Sequence, residues 1–465
     1  MLSATLTSQL RAKLLDAYES GSRVRLGVPS DAKVNSDFLT ATSGVLAYPS
    51  ITTLTGASVS VYPVPPSSRE MRVLVQFLAD DFEELADLIA KQLVQGGAAL
   101  VIRNTVSRAI ETAAVLRKCL PFEVMLVHGR FTVEDRLGKD DRLRAEFGRG
   151  RDARKGNPIV VVATQVAEQS LDVDFDLLVS DLCPVDLLLQ RVGRIHRHRE
   201  TLPSEKRCSP LQTPTVWLTG ISNWTTNPPA PVAGSVAVYG LYPLLRSLAA
   251  LGIPSSESVL VRIPDDIRTL VEAAYGDGPL GPQEWWNSME EARKSQSARL
   301  TASEERARTF RAAGPSSRAI SIGGWIDGWA EDDSPGGQCQ VRDGEAAVEV
   351  LLFRHGPDPA LVYAPGKPFI DDVGPGFQWN VTPDDETARA ILGCTVRLPS
   401  WAVQGQRGDR LIEDLERQWY PRAWQESPLL RGNLVLVLGA DGSAVSAGMR
   451  ISYSNDRGLE VGQIA

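Results

Sequence analysis

A chain of 465 residues holds about three domains at roughly 150 residues each. With 43% hydrophobic and 23% charged residues it reads as soluble and globular, which excludes a disordered, collagenous or small disulfide-stapled protein. No apolar run exceeds five residues, which excludes a membrane span, and the net charge of −8 looks wrong for a nucleic-acid binder.

The charge is unevenly spread, however. Residues 101–207 carry 19 Lys+Arg against 16 Asp+Glu, a balance of +3, and the remainder carries −11. A local basic zone matters more to a phosphate ligand than the total does. All ten tryptophans lie at position 217 or later, a shift in composition that marks a domain boundary near residue 220. Five cysteines (Cys119, Cys183, Cys208, Cys339, Cys394) stand far apart with no CxxC pair, which suits a reducing cytoplasm and argues against structural zinc. The start, Met1-Leu2-Ser3-Ala4-Thr5, has neither the basic region nor the apolar core of a signal peptide.

Residues 72–78 read as a strand. The helix predicted over 81–95 carries Phe82, Leu85, Ala86, Ile89 and Leu93 on one stripe and ends at Gly96-Gly97. A buried strand at 98–103 leads to Asn104, a candidate cap for a helix with the stripe Val106, Ala109, Ile110, Ala113 and Leu116. A strand at 123–127, a charged helix at 132–147, strands at 158–163 and 176–180, a helix from Pro184 and a strand at 214–218 come next. This alternation predicts an α/β fold, a parallel sheet flanked by helices. Such sheets bind ligands beyond the carboxyl ends of their strands. Asn104-Thr105, His128-Gly129-Arg130-Phe131 and Thr164-Gln165 each stand just after a strand end. Residues 221–235 are Pro/Ser/Asn-rich and look like a linker, 236–330 read as mostly helical, and short alternating runs from about 338 predict a small strand-rich terminal domain.

The strongest chemical signal is Gln190-Arg191-Val192-Gly193-Arg194-Ile195-His196-Arg197. If the helix from Pro184 runs through it, Val185, Leu188, Leu189, Val192 and Ile195 form an apolar stripe. Gln190, Arg194 and Arg197 then project from the opposite face. Two guanidinium forks presented together can neutralise charge on a transferring phosphoryl group. An isolated Arg-x-x-Arg is more often a solvated helix end favoured by the helix dipole. The second signal, Ala163-Thr164-Gln165-Val166-Ala167-Glu168-Gln169-Ser170-Leu171-Asp172, offers hydroxyl and amide donors suited to phosphate and sugar. Taken alone it reads as a helix start capped by Thr164.

Together these stretches resemble motifs V and VI of superfamily 2 helicases. The wording is closest to the CRISPR-associated helicase–nuclease of type I systems, most like the type I-E branch that works with Cascade. Leu2-Ser3-Ala4-Thr5-Leu6 resembles motif III, Val101–Val106 resembles motif IV or its neighbour, and Leu126–Phe131 resembles the family's H-S/G-R-F element. Ile263–Arg268 and Val341-Arg342-Asp343-Gly344 look like the family's linker and terminal region. The resemblance implies a remnant of a first RecA-like domain at 1–68, a second RecA-like domain at 69–220, a helical linker at 221–335 and a C-terminal domain at 336–465.

It also implies roles. Arg194 and Arg197 are arginine fingers toward ATP, and Gln190, Asp172 and Thr164 belong to the nucleotide side. Asn104, Thr105, Arg130 and Gln165 touch the phosphates of single-stranded DNA, and Ser3 and Thr5 couple the two sites. The basic run Arg149, Arg151, Arg154, Lys155 is either a further phosphate contact or a solvated loop, and His128 is either functional or a satisfied core histidine.

Two parts of such an enzyme have no counterpart in these residues. No GxxxxGK[ST] phosphate loop occurs, since the Gly-Lys pairs are Gly138-Lys139-Asp140 and Gly366-Lys367-Pro368. Of the four histidines, His128, His196, His198 and His355, none precedes Asp, so a metal-binding His-Asp nuclease is not expected here, and no residue is assigned to a metal. The expectation is the C-terminal half of an ATP- and magnesium-dependent DNA helicase, unable to hydrolyse ATP alone. Its partners would be an N-terminal half with phosphate loop and nuclease, single-stranded DNA and the RNA-guided surveillance complex, in the cytoplasm and off the membrane. The alternative is a non-catalytic docking module for that complex, and a weaker one is an RNA helicase of the same superfamily.

Overall fold

The computed structural model describes residues 5–25, 38, 48–55, 58–65, 70–168, 171–253, 258–309, 348–356, 358, 360–365 and 376–464. Ser3, Gln169-Ser170 and the stretch 341–344 lie outside the described residues.

Strands β1 (Ser50–Thr55) and β2 (Ser58–Pro63) form an antiparallel hairpin. Beyond it the chain takes up the expected α/β alternation. Strands β3 (Met71–Phe77), β4 (Ala98–Ile102), β5 (Glu123–Val127), β6 (Ile159–Ala163), β7 (Leu177–Asp181) and β8 (Thr215–Thr219) alternate with helices, except that among the described residues only a 3-10 turn stands between β6 and β7. After a short antiparallel pair, β9 (Ile221–Asn223) and β10 (Ala230–Pro231), comes β11 (Ser258–Ile263). The seven-stranded, mostly parallel sheet runs β11-β3-β8-β7-β4-β6-β5. Every residue of β4 (AALVI) and β6 (IVVVA) is buried, as unbroken apolar runs dictate for inner parallel strands covered on both faces.

The chain divides into two compact units interleaved in sequence. The first comprises residues 1–85, 176–196 and 209–343, and the second 86–175, 197–208 and 344–465. In the first unit β3 and β7 both pair in parallel with β8, and β11 pairs antiparallel with β3, matching Val259 to Val75. The region read from sequence as mostly helical thus also supplies an edge strand. Its helices are Ala233–Tyr239, Leu241–Ala250, Asp265–Tyr275 and Trp286–Thr309.

In the second unit β4 and β5 flank β6 in parallel, with helices Val106–Cys119 and Val133–Phe147. The terminal part is strand-rich, as expected. Strand β12 (Glu349–His355) pairs antiparallel with β13 (Leu361–Tyr363), which in turn pairs with β14 (Phe377–Gln378). It also pairs antiparallel with β15 (Thr395–Arg397) and in parallel with β16 (Leu434–Leu438). Phe353, Phe377, Val437 and Trp424 fill its core, and the Trp424 indole N–H donates to the Gln378 carbonyl at 3.0 Å. Trp424 with its neighbours Trp379 and Trp419 is therefore core material, as buried aromatics with one polar handle usually are. A three-stranded antiparallel sheet of β17 (Ser443–Ser446), β18 (Met449–Ser454) and β19 (Gly458–Gln463) ends the chain.

Candidate functional site

In the second unit three expected positions come together. Register matches Ile102 of β4 and Val127 of β5 to the same residue of β6, Ala163, so the loops beyond them leave the sheet at one level. The Arg103 N–H donates to the Ala163 carbonyl at 2.8 Å, and the Thr164 N–H to the Val127 carbonyl at 3.3 Å. The Gln165 side-chain amide donates to the Asn104 carbonyl at 3.1 Å. Asn104-Thr105, Arg130 and Thr164-Gln165 thus stand just past three adjacent strand ends. One detail is corrected. The cap of helix Val106–Cys119 is Thr105, whose hydroxyl accepts from the Arg108 N–H at 3.4 Å, while Asn104 is buried one residue earlier. Thr164 precedes a single 3-10 turn, Gln165–Ala167, and its hydroxyl makes no capping bond.

The His128-Gly129-Arg130-Phe131 loop is fixed by the end of the chain. His128 is fully buried, and its ring stacks on Phe131 with centroids 4.4 Å apart. Its Nδ1 accepts from the Arg130 N–H at 3.1 Å, so Nε2 carries the proton and donates to the Arg457 carbonyl at 2.9 Å. The Arg130 carbonyl in turn accepts from the Leu459 N–H at 2.7 Å. Gly458, at φ +69, sits where a Cβ would lie 2.6 Å from the Arg130 carbonyl oxygen and 2.7 Å from the imidazole, so no side chain fits. His128 is a satisfied core histidine, the plainer of the two readings.

Burial pushes the His128 pKa down to about 4. The unfolded chain takes up this proton near pH 6.5 and the folded one only near 4, so folding loses stability as the pH falls through that window. The loss is on the order of 3 kcal/mol. Urea midpoints at pH 7 and pH 4.5 check this: His128→Gln should show a smaller acid-induced drop than wild type, and equal drops would contradict it.

Asp172 and the end of the Gln190–Arg197 stretch meet in the same unit. Asp172 Oδ1 accepts from Arg197 Nε at 2.6 Å and lies 3.0 Å from His198 Nε2. These contacts, Arg197 first, pull the Asp172 carboxyl down to about 2 although the side chain is 64% exposed. Asp174, two residues on, is fully buried. Its Oδ2 accepts from Arg207 at 2.7 Å and lies 3.6 Å from Arg151, and its Oδ1 accepts from the Arg197 N–H at 2.9 Å. The basic run is largely neutralised. Arg149 pairs with Glu200 at 2.7 Å, Arg154 with Glu146 at 3.1 Å and Arg151 with Asp174. Arg151 is therefore buried in the structure rather than solvated, while Arg149 and Arg154 reach their carboxylates nearer the surface.

In the first unit, helix Val185–Val192 carries Gln190 and stops at Gly193. The expected continuation through Arg197 does not occur. Arg194 and Ile195 donate back three residues, to Arg191 and Val192, and His196 turns the chain with φ +47. Arg194 therefore sits in the turn after the helix, and Arg197 lies beyond the reversal. Sequence reasoning also passed over Arg191. It is fully buried and donates to the Ser180 hydroxyl at 2.8 Å, the Asp181 carbonyl at 3.1 Å and the Tyr239 hydroxyl at 3.2 Å. Tyr275 donates to Asp186 at 2.5 Å, and the Val185 N–H to Ser247 at 2.9 Å, so the later helices grip this helix at its start as well. Thr5 lines a pocket of about 580 Å³ with Arg11, Tyr48 and Arg268. Among the described residues no group of three or more His, Cys, Asp or Glu side chains could hold a metal ion, and no helix is long and apolar enough to cross a membrane.

The chain is similar to known proteins along most of its length. Residues 95–200 match the family model described as CRISPR-associated nuclease/helicase Cas3, C-terminal, and residues 342–459 match the Cas3 C-terminal domain. The CRISPR-associated nuclease/helicase Cas3 of Streptococcus thermophilus is 28% identical over 99% of this chain and 47% of its own length. The CRISPR-associated endonuclease/helicase Cas3 of Thermus thermophilus is 30% identical over 89% of this chain and 46% of its own. The crystal structure of T. fusca Cas3-AMPPNP superposes with a TM-score of 0.73 and 25% identity, covering 99% of this chain and 50% of that one. The chain spans about half the length of the curated relatives it matches.

Proposed function

Because the chain belongs to the Cas3 family of CRISPR-associated nuclease/helicases and corresponds to its C-terminal half, we propose that it is the arginine-bearing half of an ATP-driven superfamily 2 motor that moves along single-stranded DNA. One observation carries this reading. Asn104-Thr105, Arg130 and Thr164-Gln165 stand beyond three adjacent parallel strands at their carboxyl ends, where α/β sheets take their ligands. In this reading these residues contact strand phosphates, which bind without regard to base.

Arg194 and Arg197 neutralise the charge that develops on the transferring γ-phosphoryl group of ATP, and Gln190 contacts the same group. Asp172 orients Arg197 by holding its Nε. The phosphate loop and the magnesium ligands come from the N-terminal half, as does the nuclease, since the sequence here has neither motif. The RNA-guided surveillance complex, of type I-E in this reading, is the partner that delivers DNA, and the cytoplasm is the compartment.

The test uses the purified chain. It is expected to bind a labelled oligo-dT with an affinity that falls steeply with salt, and to hydrolyse no ATP with or without that strand. Absence of strand binding at low salt would overturn the motor reading in favour of a docking module.

A further inference from the structure

We propose that Arg397, on strand β15 of the terminal part, shares one phosphodiester-binding cleft with Arg130 and is a strand contact in its own right. The proposal deepens the strand-binding reading above and rests on it.

The cleft, of about 360 Å³, brings Gly129 and Arg130 together with Arg397 and Ser400, and Val106 also lines it. Its size falls within the roughly 300–1,000 Å³ of ligand clefts. Among the described residues no carboxylate lines it. The two arginines stand apart from their neighbours in one respect. Arg149, Arg151, Arg154, Arg197 and Arg207 are each tied to a carboxylate. Arg130 and Arg397 form no ion pair among the described residues. Glu349 is the register partner of Arg397 across β12 and β15, yet the two do not pair.

Burial also holds the Arg130 guanidinium below its ordinary value, so a nearby anion restores what desolvation removes. The backbone is held firmly at both positions. Arg130 is clamped through its N–H by His128 and through its carbonyl by Leu459. Arg397 comes directly after buried Val396, and the next residue, Leu398, donates its N–H to the Val348 carbonyl at 2.9 Å. Val106 opens a helix of 14 residues, whose first-turn amides add positive potential on the same side. Among the described residues no aromatic ring lines the cleft to stack a base, so the fitting ligand is the phosphate backbone.

The experiment measures anisotropy of a fluorescein-labelled oligo-dT of about 15 nucleotides, within the site sizes such proteins occupy, titrated with this chain across a range of salt. Arg397→Gln is expected to weaken binding about 5–10-fold at low salt. It should also make the slope of log affinity against log salt shallower by about 0.7, one single-strand phosphate contact. Arg397→Lys should keep the slope. Arg397 is exposed, so the Gln variant should melt as wild type does. Wild-type binding with an unchanged slope in Arg397→Gln overturns this inference alone. Failure of wild type to bind the oligonucleotide overturns the strand reading and this inference with it. Weaker binding of a fluorescent ATP probe by Arg397→Gln, with the oligonucleotide slope unchanged, overturns it in favour of a nucleotide site.

Discussion

Replacing Arg194 with alanine, in a motor reassembled from this chain and an N-terminal half carrying the phosphate loop, is expected to lower strand-stimulated ATP turnover by about 10³-fold. The turn that carries Arg194 is built rigidly. Helix Val185–Val192 ends at Gly193, Arg194 donates its N–H to the Arg191 carbonyl at 2.9 Å, and the Arg191 side chain is itself anchored to Ser180, Asp181 and Tyr239. A guanidinium on such a support needs little reorganisation to meet charge as it develops, which is the source of its catalytic value. The loss should fall on kcat while strand affinity stays within about twofold of wild type, because Arg194 is not among the proposed strand contacts. Turnover within tenfold of wild type would remove Arg194 from the finger role.

Asp174→Ala is expected to cost about 3–5 kcal/mol of stability, the usual penalty for leaving a buried charge without its partner. Arg207 and Arg151 both face the Asp174 carboxylate, at 2.7 Å and 3.6 Å, with the ion pair fully withdrawn from water. The same carboxylate accepts the Arg197 N–H at 2.9 Å, so its loss also loosens the segment that carries Arg197, the second finger proposed. Asp174→Asn has the carbonyl to keep that hydrogen bond but removes the charge, and should fall between wild type and Asp174→Ala. Urea denaturation of the three chains checks the order. A cost below about 1 kcal/mol for Asp174→Ala would mean that the buried arginines find other compensation.

Local pattern made the sheet legible in advance. The strands expected at 98–103, 123–127 and 158–163 lie within one residue of β4, β5 and β6, because unbroken apolar runs bounded by polar turns admit little else. The candidate strand contacts were legible for the same reason, since they come directly after those strands. Periodicity failed in the Gln190–Arg197 stretch. A helical wheel extended through Arg197 presumes an unbroken helix, whereas Gly193 ends it and His196 enters the left-handed region at φ +47. Glycine at such a point is a stop signal, but the left-handed histidine carries no local signature.

Long-range packing escaped sequence reasoning altogether. His128 meets Arg457 across 329 residues, and Tyr453 accepts from the Thr132 N–H at 3.1 Å across 321. No residue near His128 reports that a terminal strand will cover it. Arg397 is hidden in the same way, since an exposed arginine at the end of a three-residue strand is unremarkable until the cleft it faces is seen. Arg191 has a local signal, because it lies within the apolar-flanked helix between Gln190 and Val192, one position from the stripe.

The motor reading stands on one arrangement: this chain supplies arginines to a phosphate loop it does not carry. The decisive measurement is ATP turnover by the highly purified 465-residue chain with magnesium and single-stranded DNA present. No turnover is expected from the chain by itself, and strand-stimulated turnover is expected once an N-terminal half is added. Strand-stimulated hydrolysis by the chain alone would contradict that arrangement.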